Sequence, residues 1–383
     1  MEKHDTDDID AWLVLLRTPG MGAAALRDLL AVCNWDIQAT LATVKARVDR
    51  LDGAAAAWLK RPDRERLRAD RTWLDMPGHR LLRCDEADFP PLLGHIDRPP
   101  AALFVDGDAS LLLRPQVAVV GSRAADGVGR ALAADFALAL ADAGFVVTSG
   151  MADGIDGAAH RAVLDAGHPT IAVVGTGADR VYPAKHARLA RRIAGEGALL
   201  SEFPLGTGAR SSHFPQRNRI LSGLSVGTVV VEADLKSGSL ITARLAADQG
   251  REVFAVPGSV HNPRARGCNK LIRDGARLVE DAGEVVDVLA PLARAMGLEL
   301  RERLRLAEPA QGSTGPVSTR FDPLQERLLE ALGHVPVSLD ELAERTGLEA
   351  GQVASGLLLL ELDGAIESLA GNRYQRLPGG CRM

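Results

Sequence analysis

Two short runs carry the residue types that hold a polyanion. The first, VAVVGSRAADGVGR (117–130), reads as a strand, a glycine-rich turn and a helix. Backbone N–H groups in such a turn, with the helix N-terminus behind them, offer an anion site, and Arg123 adds a fixed charge. A plain strand-to-helix turn with Arg123 on the surface fits the same residues. Glycines at 121, 127 and 129 lack the G-x-G-x-x-G spacing, so no dinucleotide cofactor is indicated. The second run, FPQRNRILSGLS (214–225), sets Phe214 beside Arg217, Asn218 and Arg219 at a helix entrance. A stacking face next to phosphate donors is the mixture that sequence-tolerant single-strand binders use. One of the two arginines is expected to pair internally with Glu202 or Glu232, leaving the other free.

The surroundings of these runs are basic although the chain is not. Residues 206–277 hold eleven Lys and Arg against five Asp and Glu, a net +6, while the whole chain is −5. Binding to nucleic acid must then come from a local patch, to which Lys236 belongs. SGMADGIDGAAH (149–160) is a second glycine-rich turn, either another wall of one groove or a turn in which Asp153 or Asp156 caps the following helix. GTGADRVYPAKH (175–186) offers Tyr182 for stacking beside Arg180 and Lys185, or mere surface decoration. TPGMGAAALRDLL (18–30) is similar to a helix-hairpin-helix element, which either meets phosphate or only turns the chain. There is no G-x-x-x-x-G-K-[ST], G-x-S-x-G or H-E-x-x-H, and the histidines lack metal-ligand spacing. Neither enzyme chemistry, nor a metal, nor a cofactor is therefore expected.

The elements that must position these residues follow from the hydrophobic pattern. The runs 117–121, 145–150, 170–175, 198–202, 228–233 and 252–258 are apolar with little alternation, as strands buried on both faces are. Helical stretches separate them, so a parallel sheet flanked by helices is expected. Before it lies an Ala/Leu/Arg-rich helical segment (1–85) and a proline-rich passage (88–108) that reads as an extended connection. After it, 308–320 is rich in Pro, Gly, Ser and Thr and reads as a flexible tether. Residues 321–383 read as three helices and a hairpin turning at Gly371-Asn372, a winged helix, with Ser338 and Glu341 as a capping box. That unit carries four cations against ten carboxylates over 321–377, a net −6, and its third helix (349–363) has no Lys or Arg. Such a helix suits a protein partner better than DNA.

The four cysteines are scattered, with no C-x-x-C, which fits a reducing compartment. MEKHDTDDID is unlike a signal peptide and no apolar run is long enough to span a bilayer, so a cytoplasmic location away from membranes is expected.

VGSR (120–123), SGMADGID (149–156), TIAVVGTGADRVYP (170–183), SEFPLG (201–206), FPQRNRILSGLS (214–225), VVEADLKSGSLITARLAADQGREVFAVPG (230–258) and GCNKLIRDGA (267–276) occur in this order. In that order and spacing the chain resembles the DNA-processing protein A family (DprA, also called Smf) over essentially its whole length. The resemblance implies a sterile-alpha-motif-like (SAM) helical domain (1–85), an extended Rossmann-like α/β core (86–300), a linker (301–320) and a winged-helix domain (321–383). It implies a homodimer through that core, binding of single-stranded DNA, and loading of RecA onto incoming strands during natural transformation. The implied DNA groove comprises Gly121, Ser122, Arg123, Phe214, Arg217, Asn218 and Arg219, to which the basic stretch adds Lys236. Where the family's turn usually continues with Ser and Tyr, this chain has Asp126, Gly127 and Val128.

Two other classes compete. A related Rossmann-like fold serves nucleotide-processing enzymes with a P-G-G-x-G-T-x-x-E signature, but VPGSVHNP (256–263) lacks its Gly-Thr-x-x-Glu. The other is a protein-interaction adaptor working through the winged helix.

Overall fold

The computed structural model describes residues 3–303, 323–332, 337–348, 353, 357, 360, 366–369 and 373–376. They divide into two compact units, 1–306 and 307–383.

The first unit opens with five helices: α1 (Lys3–Leu16), α2 (Ala23–Val32), α3 (Ile37–Ala46), α4 (Gly53–Lys60) and α5 (Arg64–Leu74). Asp36, Asp52 and Asp63 start the last three by accepting hydrogen bonds from first-turn amides. The chain then enters the sheet at β1 (His79–Arg83), inside the segment expected to be helical, because the Leu81-Leu82 pair is buried against β2. The proline-rich passage is not simply extended. It holds α6 (Pro91–Gly94) and β2 (Ala102–Gly107), since the apolar run after Pro100 is long enough to form a buried strand.

The six expected strands all form: β3 (Gln116–Val120), β4 (Val146–Ser149), β5 (Thr170–Val173), β6 (Ala198–Ser201), β7 (Gly227–Val230) and β8 (Glu252–Ala255). Between them run α7 (Gly127–Asp142), α8 (Ile155–Asp165), α9 (Ala187–Glu196), α10 (His213–Leu224) and α11 (Ser239–Asp248). Then come α12 (Arg266–Arg273), β9 (Arg277–Leu278) and α13 (Ala282–Arg303). The sheet order is β1-β2-β6-β5-β4-β3-β7-β8-β9; β3 to β9 are parallel, and β1 and β2 are antiparallel additions. Period-two alternation splits the core. Val117 and Val119 pack with α7, α8 and α13, whereas Ala118 and Val120 pack with α10, α11 and α12. The N-terminal helices share a third cluster with Phe104, Ala172 and Leu199 of the sheet, so helices and sheet form one body.

In the second unit, α14 (Pro323–Leu332), β10 (Val337–Ser338) and α15 (Leu339–Thr346) are followed by helical positions 353, 357 and 360, then β11 (Ile366–Leu369) and β12 (Arg373–Arg376). The strand order is β10-β12-β11, all antiparallel. The Ser338 hydroxyl accepts from the Glu341 amide at 3.3 Å, but the Glu341 carboxylate pairs with Arg345, so only half of the capping box forms. The 308–320 tether and the Gly371-Asn372 turn lie outside the described residues. Among the described residues no helix is long and apolar enough to cross a membrane.

Candidate nucleic-acid interface

The sheet has its topological switch between β3 and β7. From β3 the chain winds through α7 to β4 on one side, and from β7 through α11 to β8 on the other. The loops leaving these two strands must diverge, and ligands gather in the crevice so formed. Here that crevice is a cleft of about 690 Å³. Gly121 to Arg123 line it from β3 and Lys236 to Ser239 from β7. The turn after β5 adds Tyr182, the loop after β6 adds Arg210 and Ser211, and α10 adds Phe214, Arg217 and Asn218.

Backbone geometry sets the first wall. The Ser122 amide donates to the Glu232 carbonyl at 2.6 Å, and the Ser122 hydroxyl accepts from the Ala124 amide at 3.2 Å. Ser122 is thereby buried and used locally, while Arg123 projects into the cleft. Gly154, at φ +75°, passes so close to the Ser122 carbonyl that no side chain fits there. The Arg123 guanidinium lies over the Phe214 ring at 5.1 Å, and the Tyr182 ring stands 5.5 Å from Phe214. Tyr182 remains exposed and is the open aromatic face of the cluster.

Of the two arginines of the α10 run, one meets the expectation and the other does not. Arg219 does pair with Glu202, at 2.5 Å, away from the cleft. Arg217, however, is not left free. It is 5% exposed and its Nη1 donates to the Val173 carbonyl at 2.7 Å, beneath the cleft floor. It fits because residue 150 is glycine; a Cβ there would overlap the guanidinium. Burial pulls Arg217 down to about 10, opposed by the charge of Asp156, so it stays a cation at neutral pH. Burial pushes the Asp156 carboxyl up, with Arg217 opposing. Asp156 also accepts from the Gly150 and Ala152 amides at 3.2 and 3.3 Å, and Asp153 pairs with Lys185 and His186. Neither carboxylate caps α8 as expected: Asp156 closes the turn ahead of the helix and Asp153 reaches across to 185–186.

The expected anion site at the start of α7 is filled from within. The Asp126 carboxylate accepts from the Gly129 amide at 3.0 Å and from Arg264 at 2.9 Å, and the Gly129 amide holds its carboxyl below the usual range. The chain's own anion occupies the helix N-terminus, which leaves no place for a phosphate. By contrast, α10 begins at the cleft with no side-chain cap, so its positive end is unneutralised, whereas the first amide of α11 already donates to the Ser237 hydroxyl at 3.4 Å. Among the described residues no carboxylate pairs with the side chains of Arg123, Arg210 or Lys236. The cleft therefore offers three cations without a carboxylate partner, one uncapped helix N-terminus and an aromatic cluster. Arg210, Ser211 and Ser237 to Ser239 were not singled out as site residues from the sequence. The small polar LKSGS run ahead of an apolar helix was the available signal. Among the described residues no three His, Cys, Asp or Glu side chains gather as a metal site.

Known proteins share this architecture. The family model for DNA recombination-mediator protein A matches residues 80–290, and that for the DprA winged helix domain matches 307–372. Protein Smf of Escherichia coli is 40% identical across 84% of this chain and 83% of its own length. DNA processing protein DprA of Bacillus subtilis is 43% identical across 55% of this chain and 72% of its own length. Among solved structures, Streptococcus pneumoniae DprA superposes with a TM-score of 0.65 at 34% identity, covering 73% of this chain and 97% of its own. The Helicobacter pylori DNA processing protein A, solved to explain its single-stranded DNA binding mode, has a TM-score of 0.51 at 29% identity, covering 56% of this chain and 96% of its own.

Proposed function

The chain belongs to the DNA recombination-mediator protein A family, and from that premise we propose that it binds single-stranded DNA in the switch-point cleft and loads RecA onto it during natural transformation. The observation that carries the reading is the arrangement of Arg123 over Phe214, with Arg210 and Lys236 unpaired beside the uncapped start of α10. Cations and a helix N-terminus take phosphates and Tyr182 offers a face to a base, a mixture that tolerates any sequence. The protein acts without catalysis or cofactor, in the cytoplasm, on a strand rather than on a small substrate. A homodimer through the core is part of the same reading. The acidic winged helix takes a protein partner.

The test has two stages. Gel shifts with single- and double-stranded oligonucleotides at two salt concentrations should show preference for single strands and weakening with salt. RecA assembly on strands coated with single-strand binding protein should then accelerate on adding this protein. Equal binding of both DNA forms would remove the first claim, and unaltered RecA assembly the second.

A further inference from the structure

We infer that a strand held in the cleft continues into a second pocket, between α5 and the 205–207 loop, so that the N-terminal helices supply part of the DNA surface. The inference rests on the reading of the cleft as a single-strand site. The pocket encloses about 500 Å³, within the range that accepts a nucleotide-sized group, and is lined by Arg17, Arg66, Trp73, Asp179, Gly206 and Thr207. Two chain segments connect it to the cleft. Asp179 lies in the pocket and Tyr182 in the cleft; Thr207 lies in the pocket and Arg210 in the cleft. Three residues of extended chain span at most roughly 11 Å, so the cavities adjoin.

The chemistry suits a phosphodiester strand. Trp73 lines the pocket with its ring packed 3.9 Å from His79 and 6.1 Å from Phe104, and Arg66 stands on the same face of α5. Arg66 and, on the connecting segment, Arg180 are 67% and 62% exposed. Among the described residues each pairs only with a neighbouring carboxylate, Asp63 at 3.2 Å and Asp179 at 3.6 Å. Exposed pairs of this kind hold weakly, so a phosphate can displace the carboxylate. The pocket's own acids are already engaged. Buried Asp70 receives two hydrogen bonds from Arg17, each 2.5 Å, and Asp179 accepts from the Gly206 amide at 2.8 Å. Arg17 also donates to the Leu205 carbonyl at 2.9 Å, which ties the helices to the loop and leaves the pocket formed before DNA arrives.

The full-length protein is titrated with oligo-dT of about 6 and about 20 nucleotides, lengths near the lower end of and above the range of single-strand site sizes. The expected result is tighter binding of the longer strand. In Arg66→Ala/Arg180→Ala the short strand should bind as before, because both side chains are exposed and outside the cleft. The long strand should bind about tenfold more weakly, with the log–log salt slope reduced by about 1.4, or 0.7 for each lost phosphate contact. Unchanged long-strand affinity and slope, or equal losses at both lengths, would overturn the inference. Wild-type protein that binds the short strand with no gain from length would overturn it too. Failure to bind either length would instead sink the reading of the cleft.

Discussion

Arg217 and Arg219 stand two positions apart and meet opposite surroundings. On a helix with 3.6 residues per turn they point about 200° apart, one under the cleft and one onto Glu202. Function and stability should therefore separate by residue. Arg123→Ala should weaken oligo-dT binding by about 1–3 kcal/mol and flatten the salt slope by about 0.7, with no change in melting temperature. Arg219→Ala should do the reverse, costing about 3–5 kcal/mol of stability because Glu202 is left buried and unpaired. Thermal melts beside anisotropy titrations check both, and a folded Arg123→Ala that binds normally would place the DNA elsewhere. A third residue sets pH behaviour. Burial above all, with His186 next, pulls His160 down to about 3, and its Nε2 has no hydrogen-bond partner. A depressed folded value means that the unfolded chain takes up the proton first. The stability His160 contributes is thus complete above about pH 6.5 and is lost as pH falls toward 3, on the order of 1.4 kcal/mol per unit. His160→Leu should flatten the acid side of a stability profile measured between pH 7 and 4; an unaltered profile would show that other groups govern it.

At the scale of elements, the helix N-termini around the switch point differ in how they are closed. Asp126 caps α7, Asp156 sits in the first turn of α8 and Ser237 takes the first amide of α11, whereas α10 starts without a side-chain cap. Asp126→Ala should lower the melting temperature slightly through loss of the cap, and should leave oligonucleotide affinity within about twofold. If α7 did hold a phosphate, removing this carboxylate would tighten binding markedly, so the direction of the change decides. The turn between β4 and α8 has a structural duty instead. Gly150 admits the Arg217 guanidinium, and Gly150→Ala should cost about 1–3 kcal/mol by overpacking, read from denaturant melts. A neutral substitution there would mean that Arg217 can relocate freely.

For the whole molecule, the cleft lies entirely within the 1–306 unit, and the 307–383 unit carries the acidic excess. Deleting residues 307–383 should leave single-strand affinity within about tenfold, since an acidic unit adds no phosphate contacts. A greater loss in a folded, truncated protein would make the winged helix part of the DNA site. The N-terminal helices differ in this respect. Their shared core with the sheet and the Arg17 contact to Leu205 make them inseparable from the cleft's surroundings.

Much was legible in the chain alone. Apolar runs without alternation marked six buried strands, and the family motifs with local charge pointed to the loops at the strands' C-terminal ends, because short-range pattern and composition carry that information. β1, β2 and β9 were not read, since the first two sit among helical or proline-rich residues and the third has two residues. Which side chains reach the cleft was a tertiary matter. Arg217 and Arg219 look equivalent until the helix phase is set by packing of Ile220 and Leu221 on the sheet. Asp126 reads as a turn residue until Gly129 and Arg264 are seen to hold it. Arg210 and Ser237 lie in loops whose convergence depends on strands apart in sequence. Only the closed structure brings together groups that the chain keeps tens of residues apart.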